Sequence, residues 1–409
     1  PAAAATLAVA LNGQSLGGSF VWDDRAAVLG NRDISPATPW RDLFHHDFWG
    51  QDITESGSHK SYRPLAVASF RLDRILWRLG TSDDSTSGVG ASLLSGLDPL
   101  AAAPAMHAIN VILHAAACAL AVPLFRAALG GREAPAALAA ALFVAHPVHI
   151  EPVAALVGRA DLLCGVFAMM ALVVAGAAPP GNGNGGGACS WPRFGLALLL
   201  GGAACLSKEV GVAVFGLLAA AEALHKEVPD IVGDGRPKKA PAAAAAPYAT
   251  AGPPVSTRPA VAAAVGTTAA ASSAKKQKNG DDVRRRCVRF MLCTLCASAV
   301  VVARLRLHHG AGMRAWGVLE NDIVTLLDRR ARIMSYAHTH VRYAGLLLWP
   351  SQLCYDWGFS CIPQIETVAD PRNLASLALY AALAALAVAG LWGRDMTLLW
   401  GLALLVVPF

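Results

Sequence analysis

Apolar residues run in long stretches along this chain, and its polar residues collect where those stretches end. The runs 106–125, 134–145, 162–178, 194–206, 210–224, 287–303, 374–392 and 396–409 carry almost no charge, and 344–349 with its flank adds a shorter one. A bilayer core takes roughly 20 helical residues. Several runs reach that length only through tolerant flanks. The pattern predicts an all-α polytopic membrane protein.

Composition supports the pattern. Of 409 residues, 55% are hydrophobic and 15% charged, and mean hydropathy is +0.45. Soluble domains carry about 25% charged residues, so an all-α soluble core is the disfavoured alternative. The opening PAAAATLAVAL lacks a methionine and the close LLWGLALLVVPF falls inside a run. The first helix is therefore expected to be incomplete and a C-terminal region to follow.

Basic loops orient the spans. The turn 126–133 carries Arg126 and Arg132, and the segment 226–286 holds eleven lysines and arginines in an alanine-, proline- and serine-rich background. That segment is expected to be disordered, since it has little apolar surface to bury. Both belong on the cytoplasmic side, and the four runs between them, an even number, make the two assignments consistent. Three units follow: a membrane core over 1–225 with a large first loop over 12–104, the basic low-complexity loop over 226–286, and C-terminal helices and loops over 287–409. The first loop, the turn 146–161 and the turn Ser207-Lys208-Glu209 then share the opposite, non-cytoplasmic face. The arginine-rich segment 304–332 falls on that face too, which calls for either a miscounted span or an anion.

Ionisable groups at span ends are functional candidates by default. Asp23 and Asp24, in VWDDR, form a carboxylate pair that suits a general base and its orienting partner, because a like charge raises one pKa; the alternative is a solvated turn. His146, His149 and Glu151, in AHPVHIEP, have three metal-ligand types at close spacing, but Pro147 and Pro152 break the helix that would align them, and no metal is expected. The polar residues of that turn either cap it or line a site. Cys293 and Cys296 have CxxC spacing inside an apolar run, where cysteine packs as a small hydrophobe. Cys354 and Cys361 are a candidate disulfide for an oxidising compartment. His107, Asn110 and His114 lie within a span, as helix–helix hydrogen-bonding groups. Trp349 and Trp357 suit an interfacial aromatic belt.

SFVWDDRAAVLGNRDI, YRPL, HAINVILHAAA, AHPVHIEPVAALVGRADLL, LSKEVG and LWPSQLCYDWGFSCIP occur in that order. Together they resemble the transmembrane and tetratricopeptide-repeat-containing family, and HPVHIE with VGRADLL is the most specific element. The resemblance spans nearly the whole chain apart from two insertions, 81–96 and 226–286. It implies a C-type glycosyltransferase (GT-C) architecture in the endoplasmic-reticulum membrane with a lumenal active site, and tetratricopeptide repeats beyond the present C-terminus. The implied activity is inverting transfer of mannose from dolichyl phosphate mannose to Ser/Thr hydroxyls of a lumenal acceptor protein. The partners are then the lipid-linked donor, the acceptor and membrane lipid, with no nucleic acid and no cofactor.

On that resemblance Asp23 is the expected base and Asp24 orients acceptor or sugar. Arg63, Arg159 and Lys208 are expected at the donor phosphate, where an arginine fork or a lysine point charge fits. His146, His149, Glu151 and Glu209 would form the lip of the site. An Arg159–Asp161 pair is the structural alternative for that arginine. A different lipid-linked sugar transferase is the nearest rival. A non-catalytic transporter or scaffold is the rival from another class; the absence of paired interrupted helices in two halves argues against a transporter.

Overall fold

The computed structural model describes residues 1–78, 99–176, 189–224, 261–307, 317, 320–354 and 357–408. The insertion 81–96 and residues 225–260, which include most of the basic segment, lie outside these. Twelve α-helices are described: α1 (Ala2–Asn12), α2 (Pro64–Arg78), α3 (Pro99–Ala128), α4 (Glu133–Ala145), α5 (Ile150–Ala154), α6 (Arg159–Ala175), α7 (Trp191–Ser207), α8 (Ala213–Leu224), α9 (Val261–Leu307), α10 (Arg329–Leu348), α11 (Arg372–Trp392) and α12 (Met396–Val406). Among the described residues four helices are long and apolar enough to cross a membrane, over Ala102–Ala128, Leu156–Ala175, Gly280–Leu307 and Arg372–Trp392. The pair Glu133–Ala145 and Pro147–Ala154, bent by 43°, makes a fifth if taken as one span. The chain is an all-α, multi-pass membrane protein.

The breaks follow local chemistry. Pro147 pushes His146 into extended backbone (φ −70, ψ 121), which stops α4. Gly176 takes the left-handed conformation (φ 66) and its N–H closes on the carbonyls of Leu172 and Val173, which stops α6. Asp328 and Asp395 cap α10 and α12 through their side chains. Two turns need glycine for close approach. A Cβ at Gly158 would lie 2.4 Å from the Pro152 carbonyl oxygen, and one at Gly211 would lie 2.4 Å from the Ala204 carbonyl carbon.

Helices α6, α7, α8, α9 and α12 share one apolar core, with Ala171, Phe194, Leu218, Cys293 and Trp400 at its centre. A second core joins the first loop to the bundle: Phe20, Ile34, Phe48 and Phe70 pack with Met106, Leu156 and Ala160. The first loop is thus a folded cap. Asp47 organises it by accepting from the backbone N–H of Trp49, Gln51 and His59 and from the Ser58 hydroxyl. The buried Lys60 ammonium donates to the carbonyls of Ile53 and Glu55 at 2.6 Å.

Four sequence-based expectations change. The helix around 344–349 is α10, whose Arg329, Arg330, Arg332 and Arg342 make it too polar for a span. Helix α9 starts at Val261, inside the segment expected to be disordered; that stretch is rich in alanine, the best helix former, and continues a span. Cys354 and Cys361 are exposed and not bonded to each other; Cys361 sits on a tight turn in which its N–H donates to the Gly358 carbonyl.

The fourth change concerns Arg159, which is fully buried. Its Nη1 donates to Asp73 of α2, its Nε to Asn110 Oδ1 at 2.9 Å and its Nη2 to the Met106 carbonyl at 2.9 Å. The guanidinium lies 4.5 Å from the Phe70 ring centroid. Asn110 in turn donates to the Ala155 carbonyl at 2.9 Å. Arg159 therefore does not pair with Asp161, and its donors are committed to α2 and α3 instead of facing a donor phosphate. Leaving one partner of a buried ion pair alone costs about 3–5 kcal/mol. Asp73→Ala should lower the thermal unfolding midpoint of detergent-purified protein strongly, and Arg159→Lys should too, because a lysine cannot reach the same fork of partners. An unchanged midpoint in both would remove the clasp from the fold's essential contacts.

Candidate active site

The polar turns converge at one end of the bundle. Lys208 closes α7, and its Nζ lies 2.6 and 2.7 Å from the two carboxylate oxygens of Asp161, in the first turn of α6. The next residue, Glu209, takes two arginines. Arg63 Nε and Nη2 both lie 2.9 Å from its Oε2, and Arg304 Nη1 lies 3.3 Å from its Oε1. Arg304 Nη2 also donates to the Tyr62 carbonyl at 2.7 Å, and the Arg63 guanidinium sits 5.0 Å from the Phe48 centroid. Burial pushes the Tyr62 phenol up, opposed by the neighbouring Arg304 charge. Three cations and two carboxylates from the first loop, α6, the turn after α7 and the end of α9 form two ion-pair groups, and Glu151 lies close enough to Lys208 and Asp161 to feel both charges.

Arg304 was flagged by sequence only as part of an anomalous arginine-rich segment. Its pairing with Glu209 accounts for its place at this end without an anion. At the opposite end Arg126 pairs with Glu133 at 2.6 Å, and Arg289 with Glu222 at 3.5 Å. Glu222, near the close of α8, takes both Arg286 and Arg289, at the far end of that helix from the Lys208–Glu209 turn.

The acid pair is split by its turn. Val21–Arg25 turns tightly, with Asp24 N–H donating to the Val21 carbonyl and Arg25 N–H to that of Trp22. Trp22 has φ 43 and is 77% exposed, an unusual conformation for a large residue. Asp24 is fully buried. Its Oδ1 accepts from Val157 N–H at 2.9 Å and its Oδ2 from Val21 N–H at 3.2 Å. Asp24 thereby pins the VWDDR turn to the VGRAD turn. Asp23 is exposed, directly next to the anchor that places it.

The remaining residues of the lip diverge. His146 Nδ1 accepts from Val148 N–H at 3.2 Å, and its Nε2 lies 3.0 Å from the Leu347 carbonyl, which ties the C-terminus of α10 to this corner. His149 stacks among Phe143, His114 and His146, with centroids 4.6, 5.1 and 6.3 Å away. Glu151 is exposed. Among the described residues no three His, Cys, Asp or Glu side chains are grouped to hold a metal. Sequence reasoning thus found Arg63, Lys208 and Glu209, which meet, and did not find their partners Asp161 and Arg304.

The anchoring of the turn can be tested directly. In Asp24→Asn an amide N–H₂ would face one of two backbone donors, and a buried donor left unpaired costs about 1–3 kcal/mol. Hydrogen exchange should accelerate over 18–30 and around 155–158. Unchanged protection there would show that the carboxylate does not hold the turn.

Comparison with known proteins completes the picture. A family model described as "Protein O-mannosyl-transferase TMTC, DUF1736" matches residues 320–384. Protein O-mannosyl-transferase TMTC4 of Mus musculus is 32% identical over 97% of this chain and 49% of its own length. The Homo sapiens TMTC4 is 31% identical over 99% of this chain and 50% of its own length, and the mouse TMTC3 is 29% identical over 95% and 36%. The chain thus spans about half the length of the TMTC4 relatives. No solved structure matches. The chain belongs to the TMTC family of protein O-mannosyl-transferases.

Proposed function

We propose that this chain is the membrane portion of a protein O-mannosyltransferase that takes mannose from dolichyl phosphate mannose and places it on Ser or Thr hydroxyls of lumenal proteins, with inversion at the anomeric carbon. The carrying observation is the split acid pair: a buried Asp24 clamps the turn and leaves Asp23 exposed beside it, at the bundle end that gathers Lys208, Arg63 and Arg304. Asp23 takes the proton from the acceptor hydroxyl as its oxygen bonds to the anomeric carbon. The bond from that carbon to the phosphate oxygen breaks, and the dianionic lipid phosphate leaves. Arg63, Arg304 and Lys208 offset the developing phosphate charge. Glu209 and Asp161 hold these cations in place until a phosphate competes for them.

The proposed setting is the endoplasmic-reticulum membrane, in GT-C architecture, with the Asp23 end lumenal and the basic segment 226–286 cytoplasmic. A lipid-linked sugar transferase with another acceptor is the second reading, since the cation cluster would serve it equally. No metal or cofactor enters the proposed reaction; the sugar donor and acceptor protein are its substrates.

Asp23→Asn keeps size but cannot take the proton. Transfer of labelled mannose should fall by roughly 10²–10⁴, the usual worth of general base catalysis, with donor affinity little changed. Lys208→Gln and Arg63→Gln should each weaken donor binding by about ten- to a hundred-fold, as loss of a charge-assisted contact does. Full turnover in Asp23→Asn at matched abundance would reject the assigned base. Unchanged donor affinity in both cation variants would move the phosphate elsewhere. For sidedness, protease added to sealed microsomes should cut within 226–286 and spare the 12–104 cap; the reverse would invert the assignment.

A further inference from the structure

The segment 320–384 forms a cleft that the transfer chemistry above does not use. Its volume is about 250 Å³, below the roughly 300–1,000 Å³ of pockets that enclose drug-sized ligands, so it suits a single ring. One wall is α10, which presents Tyr336 and Tyr343 two turns apart on one face. The other wall carries Asn321, Asp322 and Trp357. The Arg342 guanidinium lies 5.4 Å from the Trp357 centroid and fixes the indole against α10. Just beyond Trp357, Phe359 and Ser360 both adopt left-handed backbone, with φ 56 and 57. Strained non-glycine residues of this kind persist where the surroundings over-determine them, and they cluster at ligand clamps. Two hydrogen bonds tie the walls together: Gln364 Nε2 to the Asp322 carbonyl at 3.0 Å and Ile365 N–H to Ser335 Oγ at 2.9 Å.

The lining sets the ligand's chemistry. Glu320 and Asp322 outnumber Arg342 in the cleft, so it disfavours a phosphate or carboxylate. Asn321 Oδ1 already accepts from Val324 N–H at 3.3 Å, but a wholly apolar guest would shut the Asp322 carboxylate and the Asn321 amide N–H groups away from water, which is costly. A neutral ring with an apolar C–H face and a hydroxylated edge satisfies both the aromatic and the polar lining. The cleft also adjoins the transfer end, since Leu346 lines it and the next carbonyl, that of Leu347, contacts His146. We propose that this cleft is a sugar subsite that binds one neutral pyranose ring, stacked on Trp357 with its hydroxyls on Asp322 and Asn321. This goes beyond the transfer reaction and does not depend on Asp23.

The test is saturation-transfer NMR with methyl α-mannopyranoside and purified full-length protein in nanodiscs. Ring protons should be saturated by the wild type. Affinity should fall about tenfold, the worth of a lost contact of order 1.4 kcal/mol, in Trp357→Leu and in Asp322→Asn, and should be unchanged in Asp23→Asn. If Trp357→Leu does not accumulate, Tyr336→Ala joins Asp322→Asn in its place. Displacement by an O-mannosylated peptide but not by its unmodified form would identify the ring as one carried on the acceptor chain. Displacement only by a short-chain lipid phosphate mannose would contradict the lining argument and overturn the assignment. No saturation in the wild type, equal saturation in the cleft variants, or displacement by the unmodified peptide would each overturn the proposal.

Discussion

A charged side chain with no access to water organises this protein. Arg159 is buried at the start of α6 and is stable there only because α2 supplies Asp73, α3 supplies Asn110 and the Met106 carbonyl, and Phe70 supplies a ring face. Ionised groups in such surroundings need a partner and further hydrogen bonds to offset desolvation. The requirement acts on distant segments at once. It fixes the position of α2, and α2 carries the floor of the first-loop cap through Phe70 and Val67. It fixes Asn110, which holds the Ala155 carbonyl, and so sets the turn whose Val157 N–H anchors Asp24. Asp23 is therefore positioned through a chain of contacts that begins at Arg159, a residue that never needs to meet a substrate.

The two ends of the bundle use charge differently. At the proposed site end each anion is shared or paired with long, partly exposed cations, so the pairs can open towards an incoming phosphate. At the other end Arg289 is buried over Trp191 and Phe194, with Glu222 and the Cys189 carbonyl as partners. That arrangement locks α9 against α7 and α8. The same residue types thus give one rigid end and one responsive end, because their exposure differs.

The long apolar spans were legible because hydropathy over about 20 residues depends on composition alone. Of the four runs used for parity, 162–178 forms a candidate span and 134–145 half of a bent pair, while 194–206 and 210–224 form helices too short to count as spans. Much of the rest was not legible, for physical reasons. Asp73 lies 86 residues before Arg159 in an amphipathic helix within what reads as a loop, and nothing local links the two. Asp23 and Asp24 are adjacent and chemically alike; the Val157 and Val21 N–H groups, which meet only in the folded turn, hold Asp24 as the buried one. The 344–349 run looked like part of a span because GLLLW is apolar, while the arginines that keep α10 out of a membrane lie a few turns earlier. Lys208 and Glu209 stood out as charges between apolar runs, but their partners Asp161 and Arg304 come from elements that meet them only in the folded bundle.

The two ionic layers also have a spacing. Helix α9 is continuous from Arg289 to Arg304, and fifteen residues at 1.5 Å each separate its two layer-forming arginines by only about 22 Å. A typical hydrocarbon core is roughly 30 Å thick. Arg289 is buried within the bundle, though, and the 28-residue stretch Gly280–Leu307 that carries both arginines is long enough to cross that core. The helix thus carries both its charges across the apolar interior already neutralised, one by Glu222 and the other by Glu209, so that neither arginine has to be hydrated for α9 to stay in place.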